Sequence, residues 1–318
     1  MAADVTWTGR DDGPGPEHRR FYRMVTAPGA LRGSSLAPQG PVARPDAALL
    51  GFASDEGVHR NQGRVGAAEG PAALRAALAS LAVHDELTIV DHGDVTVVDG
   101  DLEGGQRRLG EAVATAREGA PLTVVLGGGH ETAWGSYLGL GQRPRLGVLN
   151  LDAHFDLREA DHPTSGTPFL QIARDRQARG LDVHYAVLGV STASNTGALF
   201  ATAEEVGARW LLDDDCQDPS EPLAFVRRFL AEVDEVYLSI DLDVLPAATA
   251  PGVSAPAALG VPPFVIQAVC DEVADSGMLV HLDVTELSPR FDSDQRTARL
   301  AARLVHRLIT RTVSRKGA

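Results

Sequence analysis

From Ala47 to the end of the chain, short apolar runs alternate with stretches of helical periodicity, and this alternation is the tightest constraint on the fold. The apolar runs are Ala47–Ala53, Leu87–Val90, Leu122–Leu126, a run starting at Leu146, Tyr185–Val190, Trp210–Leu212, Val236–Ile240 and Met278–Leu282. The helical stretches between and after them are Pro71–Leu81, Gln106–Glu118, one beginning near Glu131, Phe169–Arg179, Ala198–Val206, Pro222–Val233, Pro263–Ala274 and Ser293–Arg311. Strands that alternate with helices predict an α/β fold of three layers, αβα, around a central, mostly parallel sheet of about eight strands. Residues 1–45 are rich in Gly, Pro and charge and predict an irregular N-terminal arm, with a short helix around Glu17–Val25. No linker-like break follows residue 45, so residues 1–318 are expected to form a single domain.

In open sheets of this kind the functional loops lie at the carboxyl ends of the strands. Four of those ends carry related chemistry. Gly127-Gly128-Gly129-His130 presents an imidazole after a run that lets backbone approach closely. Asp152-Ala153-His154-Phe155-Asp156 puts two carboxylates and an imidazole at alternate positions, which point to one side if the extended conformation continues. Ser239-Ile240-Asp241-Leu242-Asp243 repeats the pattern with two carboxylates. Asp283-Val284-Thr285-Glu286 adds a further acid. Charges gathered at the end of a buried strand cost several kcal/mol each unless they are paired or coordinate a metal. Two histidines and four aspartates suffice for two cations, and a donor set of imidazole and carboxylate without thiolate suits Mn²⁺ better than structural Zn²⁺. Paired ions about 3.5–4 Å apart can hold a bridging water and lower its pKa toward neutrality. Glu286 would then be left to bind or protonate a substrate.

Composition narrows the class. A net charge of −14 argues against nucleic acid and against an anionic membrane surface as partners. It also means that an anionic substrate would need local arginines. The opening residues carry no basic-then-apolar signal pattern, and no apolar run approaches the roughly 20 residues that span a bilayer. Cys216 and Cys270 lie in no redox or metal motif and are expected to be reduced core thiols. A soluble, cytoplasmic protein is the expectation.

Together GGGH, DAHFD, SIDLDV and TEL resemble the ureohydrolase family, which includes arginases, agmatinases and formimidoylglutamases. The resemblance runs from about Gly51 to Leu304. It implies an arginase-like fold with two Mn²⁺ per subunit, held by His130, Asp152, His154, Asp156, Asp241 and Asp243, and Glu286 set against the substrate's carbon–nitrogen group. It also implies a homo-oligomer. Within the family, WTGRDDG, DEGVHRNQGRVGAAEGP, DAHFDLR, SGTPF and APGVSAPA look most like the formimidoylglutamase branch. That branch hydrolyses N-formimidoyl-L-glutamate to glutamate and formamide in histidine breakdown.

A small anionic amidine would need cationic partners, and Arg158 and Arg64 are the candidates, each able to clasp a carboxylate with two hydrogen bonds. Arginases and agmatinases carry a His before the Gly of the loop after DAHxD, where this chain has Ser165. A serine hydroxyl is a poor general acid near neutral pH. His162 is nearby in sequence, and the acid that serves the leaving group stays unassigned. Hydrolysis of another guanidino compound with release of urea is the alternative activity, and a non-catalytic metal-binding homologue is the alternative class.

Overall fold

The computed structural model describes residues 7–28 and 44–316. Among them nine strands form one sheet: β1 Val25–Thr26, β2 Ala47–Ala53, β3 Ile89–Thr96, β4 Thr123–Leu126, β5 Leu146–Leu151, β6 His184–Val190, β7 Arg209–Leu212, β8 Glu235–Asp241 and β9 Leu279–Thr285. Every neighbouring pair runs parallel. The spatial order is β1-β3-β2-β4-β9-β8-β5-β6-β7, so the last strand in sequence lies between β4 and β8.

The helices are α1 Glu56–Arg60, α2 Gly70–Ala79, α3 Leu102–Gly119, α4 Thr132–Leu140, α5 Pro168–Ala178, α6 Gly197–Glu205, α7 Ser220–Leu230, α8 Pro263–Ser276 and α9 Arg296–Lys316. Strand periodicity divides the apolar side chains cleanly between two cores. Leu49, Val124, Leu149, Leu151, Val236, Leu238 and Ile240 pack on one face with residues of α2, α7, α8 and α9. Leu50, Val125, Val148 and Tyr237 pack on the other with residues of α3, α4, α5 and α6. A parallel sheet covered on both faces needs contiguous apolar strands rather than alternating ones, which is why the runs read so clearly. Each fully buried Leu or Val contributes about 1.5–3 kcal/mol of hydrophobic stabilisation.

The sheet departs from expectation in being entirely parallel and in having nine strands. The ninth, β1, comes from the N-terminal arm, with Val25 opposite Ile89 on β3. The helix expected over Glu17–Val25 is replaced by two 3₁₀ turns, Pro16–His18 and Phe21–Met24. Tertiary contacts decide this: Phe21 is fully buried, its N–H donates to Leu81 O at 2.8 Å, and Trp7 Nε1 donates to Asp91 at 2.8 Å. The rest of the predicted arm, residues 1–6 and 29–43, lies outside the described residues.

The strand expected to stop at Val90 continues to Thr96. Asp91 is tolerated inside it because Arg75 donates two hydrogen bonds to it, at 2.8 and 3.0 Å. Cys216 and Cys270 are both buried and unpaired, and burial pushes each thiol up to about 12. None of the described helices is long and apolar enough to cross a membrane.

Candidate metal centre

Four adjacent strands, β4, β9, β8 and β5, deliver the predicted acids and imidazoles to one place. His130 follows β4 through the triple glycine. A Cβ on Gly128 would lie 1.8 Å from Ser54 O, so only glycine lets this turn pass under the end of β2. Asp241 ends β8, and residues Leu242–Val244 fold into a 3₁₀ turn. One oxygen of Asp241 caps that turn, accepting from Asp243 N–H at 2.8 Å, while the other lies 3.0 Å from His130 Nδ1. The capping role and the cradle role therefore fall on separate oxygens of one carboxylate.

The DAHFD segment does not continue as strand. β5 ends at Leu151, and Asp156 adopts φ +49°. Its side chains converge through a pinned loop instead of a pleat. Asn195 accepts from Phe155 N–H at 3.1 Å and donates to Ala153 O at 2.9 Å, Tyr185 donates to Phe155 O at 2.8 Å, and Ala153 N–H donates to Asp243. Strand geometry would have kept the three side chains spread along the chain at alternate positions; the loop folds them around two centres.

Those centres are His130, Asp152, Asp156 and Asp241 in the first, and Asp152, His154 and Asp243 in the second, each with ligand atoms within 4.8 Å of one another. Asp152 belongs to both. His130 Nδ1 lies 3.2, 2.9 and 3.0 Å from oxygens of Asp152, Asp156 and Asp241, yet it is buried and makes no hydrogen bond. Three carboxylate oxygens crowded around one imidazole nitrogen are an arrangement that fits a cation in their midst. In the second centre His154 Nδ1 lies 3.0 Å from Asp243 Oδ2.

The electrostatics agree with the geometry. Burial opposes charging His130, but Asp152, Asp156 and Asp241 outweigh it and lift its pKa well above the ordinary value. Burial, then neighbouring carboxylates, raise Asp241 strongly and Asp156 to a lesser degree. Among the described residues no arginine or lysine pairs with these acids, which leaves the two imidazoles or a bound cation to balance their charge. Nitrogen and oxygen donors with no thiolate suit Mn²⁺.

The fourth motif divides. Asp283 joins neither centre; it is fully buried behind His130 and accepts from Ser239 and Tyr237, both at 2.5 Å. Glu286, at φ +68°, is held by the GGGH loop: its N–H donates to Gly128 O and its Oε1 accepts from His130 N–H, both at 2.8 Å. Its Oε2 is buried with no hydrogen-bond partner. Burial, and then the charge of Glu131, push the Glu286 carboxyl up to about 8.

A cavity of about 320 Å³ opens over this assembly, lined by His130, His154, Asp156, Asp241, Asp243 and Glu286, and by Arg64, Arg158 and Ser165. Arg64 is braced by carbonyls of Ser254 at 2.9 Å and Val253 at 2.6 Å and stacks 4.3 Å over Phe291. Arg158 lies against Gly166, where an added Cβ would meet its Cδ at 2.8 Å. Ser165 accepts from Asn61 Nδ2 at 3.2 Å. His162 is exposed and lines an adjacent pocket rather than this cavity.

Sequence reasoning missed Ser239, Asn195, Tyr185, Asn61 and Glu131. Glu131 is fully buried, and its Oε1 accepts from Ser54 Oγ and Gly57 N–H, tying the GGGH loop to α1 and thereby to Asn61 and Arg64. Only Ser239 had a readable signal, standing two residues before Asp241 on the same face of β8.

A parallel sheet whose central strand ends gather two acid-and-imidazole clusters defines an α/β protein with a candidate metal centre. A model of the arginase family matches residues 45–310, and the chain belongs to that family. It is 53% identical over 316 residues to a formimidoylglutamase of Rhodococcus jostii (strain RHA1), across 96% of this chain and 95% of that one. It is 55% identical over 314 residues to a formimidoylglutamase of Nocardia farcinica (strain IFM 10152), across 96% of each. Among solved structures, Trypanosoma cruzi formiminoglutamase with Mn²⁺ matches with a TM-score of 0.78 at 25% identity, covering 85% of this chain and 94% of that one.

Proposed function

We propose that this chain is a Mn²⁺-dependent hydrolase that cleaves N-formimidoyl-L-glutamate to L-glutamate and formamide. The observation that carries the substrate is the pairing, within one cavity, of both acid-and-imidazole centres with Arg64 and Arg158. A substrate with a hydrolysable amidine and two carboxylates matches that division. The relatives named formimidoylglutamase, near half identical over almost the whole chain, support the same reading.

His130, Asp152, Asp156 and Asp241 would hold one Mn²⁺, and Asp152, His154 and Asp243 the second, giving two per subunit. Bound there, the pair supplies the Lewis acidity that lets water attack at neutral pH. Glu286 presents its unpartnered Oε2 to the cationic formimidoyl group and fixes its orientation. Arg64 and Arg158 take the carboxylates, and Ser165, steadied by Asn61, donates from the cavity wall. The water oxygen adds to the formimidoyl carbon, the bond from that carbon to the glutamate nitrogen breaks, and the nitrogen leaves with a proton as the amine. A single domain working in the cytoplasm as a homo-oligomer is part of this reading, and the two buried, unpaired thiols fit a reducing compartment.

The test is an assay of Mn²⁺-loaded protein with N-formimidoyl-L-glutamate, reading formamide and glutamate in equal amounts. Urea from a guanidino compound with no turnover of the formimidoyl substrate would overturn it.

A further inference from the structure

The two arginines of the cavity come from separate segments. Arg64 belongs to the turn 61–64 that follows α1, and Arg158 opens the loop 158–167. That loop is closed on itself: Arg158 N–H donates to Gly166 O at 2.9 Å, Thr164 N–H to Thr167 Oγ1 at 3.0 Å, and Gly166 N–H to Thr164 Oγ1 at 3.2 Å. Hydrogen bonds within a loop hold its shape, but contacts that leave it hold its position.

Among the described residues, two side-chain hydrogen bonds join α1 and its turn to this loop. Arg60 Nη1 donates to Pro163 O at 3.2 Å, and Asn61 Nδ2 donates to Ser165 Oγ at 3.2 Å. Asn61 lines the cavity, whereas Arg60 does not. Arg60 also grips three other points. Its Nε donates to Glu56 at 3.0 Å, its Nη1 to Glu103 at 3.0 Å, and its Nη2 to Gly100 O at 2.8 Å and Glu103 at 3.2 Å. One planar guanidinium thus ties α1, the start of α3 and the loop into a single body. An ammonium, a point charge on a flexible stem, does not reproduce that fork.

We infer that Arg60 is a positioning residue that sets the spacing between Arg64 and Arg158, and through it the length of dicarboxylate that the cavity selects. This rests on the reading of those two arginines as the partners of the substrate's carboxylates. Removing one methylene from the substrate moves one carboxylate by on the order of 1 Å. A misplacement of that size costs on the order of 100-fold where binding geometry is fixed, and far less where it is loose.

The test compares N-formimidoyl-L-glutamate with N-formimidoyl-L-aspartate, one methylene shorter, on Mn²⁺-loaded wild type, Arg60→Met and Arg60→Lys. Wild type is expected to favour the glutamate compound by about 10-fold or more in kcat/KM. In Arg60→Met that preference should largely disappear, chiefly through a higher KM for the glutamate compound, with its kcat changed less than about threefold. Mn²⁺ content should stay at the wild-type level. Arg60→Lys should shift the preference in the same direction, and it carries the test if Arg60→Met does not fold. A preference that stays within about twofold of wild type in a folded variant, or a loss confined to kcat, overturns the inference. So does a wild type that does not distinguish the two compounds. Wild type that fails to turn over N-formimidoyl-L-glutamate sinks the proposed function itself, whereas turnover with the preference kept in the variants sinks only the role of Arg60.

Discussion

The backbone N–H of His130 donates to Glu286 Oε1 at 2.8 Å, so the residue whose ring enters the cradle also holds, through its main chain, the acid that faces the cavity. Glu286 returns the contact through its own N–H to Gly128 O at 2.8 Å. Replacing Glu286 with Gln preserves both contacts, because a side-chain amide still offers an oxygen to His130 N–H. Mn²⁺ content should stay at the wild-type level while kcat falls by about two orders of magnitude or more, the scale of losing one preorganised charge contact. Elemental analysis and steady-state kinetics check this, and near wild-type turnover would remove Glu286 from the reaction.

Asp152 is the one acid common to both centres. Asp152→Ala should therefore reduce bound Mn²⁺ well below one equivalent, whereas Asp243→Ala should leave the first centre filled. Metal analysis after gel filtration distinguishes the two. Equal losses in both variants would mean that the centres are not divided as described.

Arg158 projects from the loop after DAHFD into the cavity. Its hydrogen bonds to a substrate carboxylate are worth about 1.5–3 kcal/mol. Arg158→Leu should raise KM about 10–100-fold and lower kcat far less. The same substitution should have little effect on a substrate analogue with one carboxylate removed, if that carboxylate is the one Arg158 binds. An unchanged KM for the full substrate would return Arg158 to the surface.

His281 offers a pH test remote from the cavity. It is fully buried on β9, 2.6 Å from Thr123 Oγ1, and burial pushes its pKa from 6.5 down to about 3. The unfolded chain therefore takes up this proton at higher pH than the folded protein does. The contribution is complete above about pH 6.5 and drains as pH falls toward 3, with a slope of at most ~1.4 kcal/mol per pH unit. Chemical denaturation of metal-free wild type and His281→Gln across pH 4–7 should show the steeper decline in the wild type. Parallel curves would show that His281 is protonated without cost.

The sequence revealed most where chemistry and periodicity are local. Val236–Ile240 could be placed as a strand because both of its faces are buried, and Asp241 and Asp243 stood out because acids rarely follow such a run unpaired. What escaped depended on partners distant in the chain. Asp91 looked like the end of β3 because its partner Arg75 lies 16 residues away on α2. Ser239 comes to lie beside His130, 109 residues earlier, only in the fold. The positive φ of Asp156 could not be read either, since nothing in DAHFD marks a left-handed residue as a glycine would. β1 is only two residues long and has no periodicity to detect.

The position of β9 bears on how the molecule assembles. Strands β1 to β4 form one contiguous block and β5 to β8 another, and β9 is the strand that joins their edges. His130 stands on the first block, and Asp152, His154, Asp156, Asp241 and Asp243 on the second. During synthesis both blocks must wait, each with an open edge on β4 or β8, until the last strand emerges to close them. Open edges of this kind invite pairing with other chains. A nascent chain that stalls before Leu279 would thus carry every proposed ligand yet lack the clasp that brings His130 to the others, making the final strand the step that commits the chain to a working enzyme.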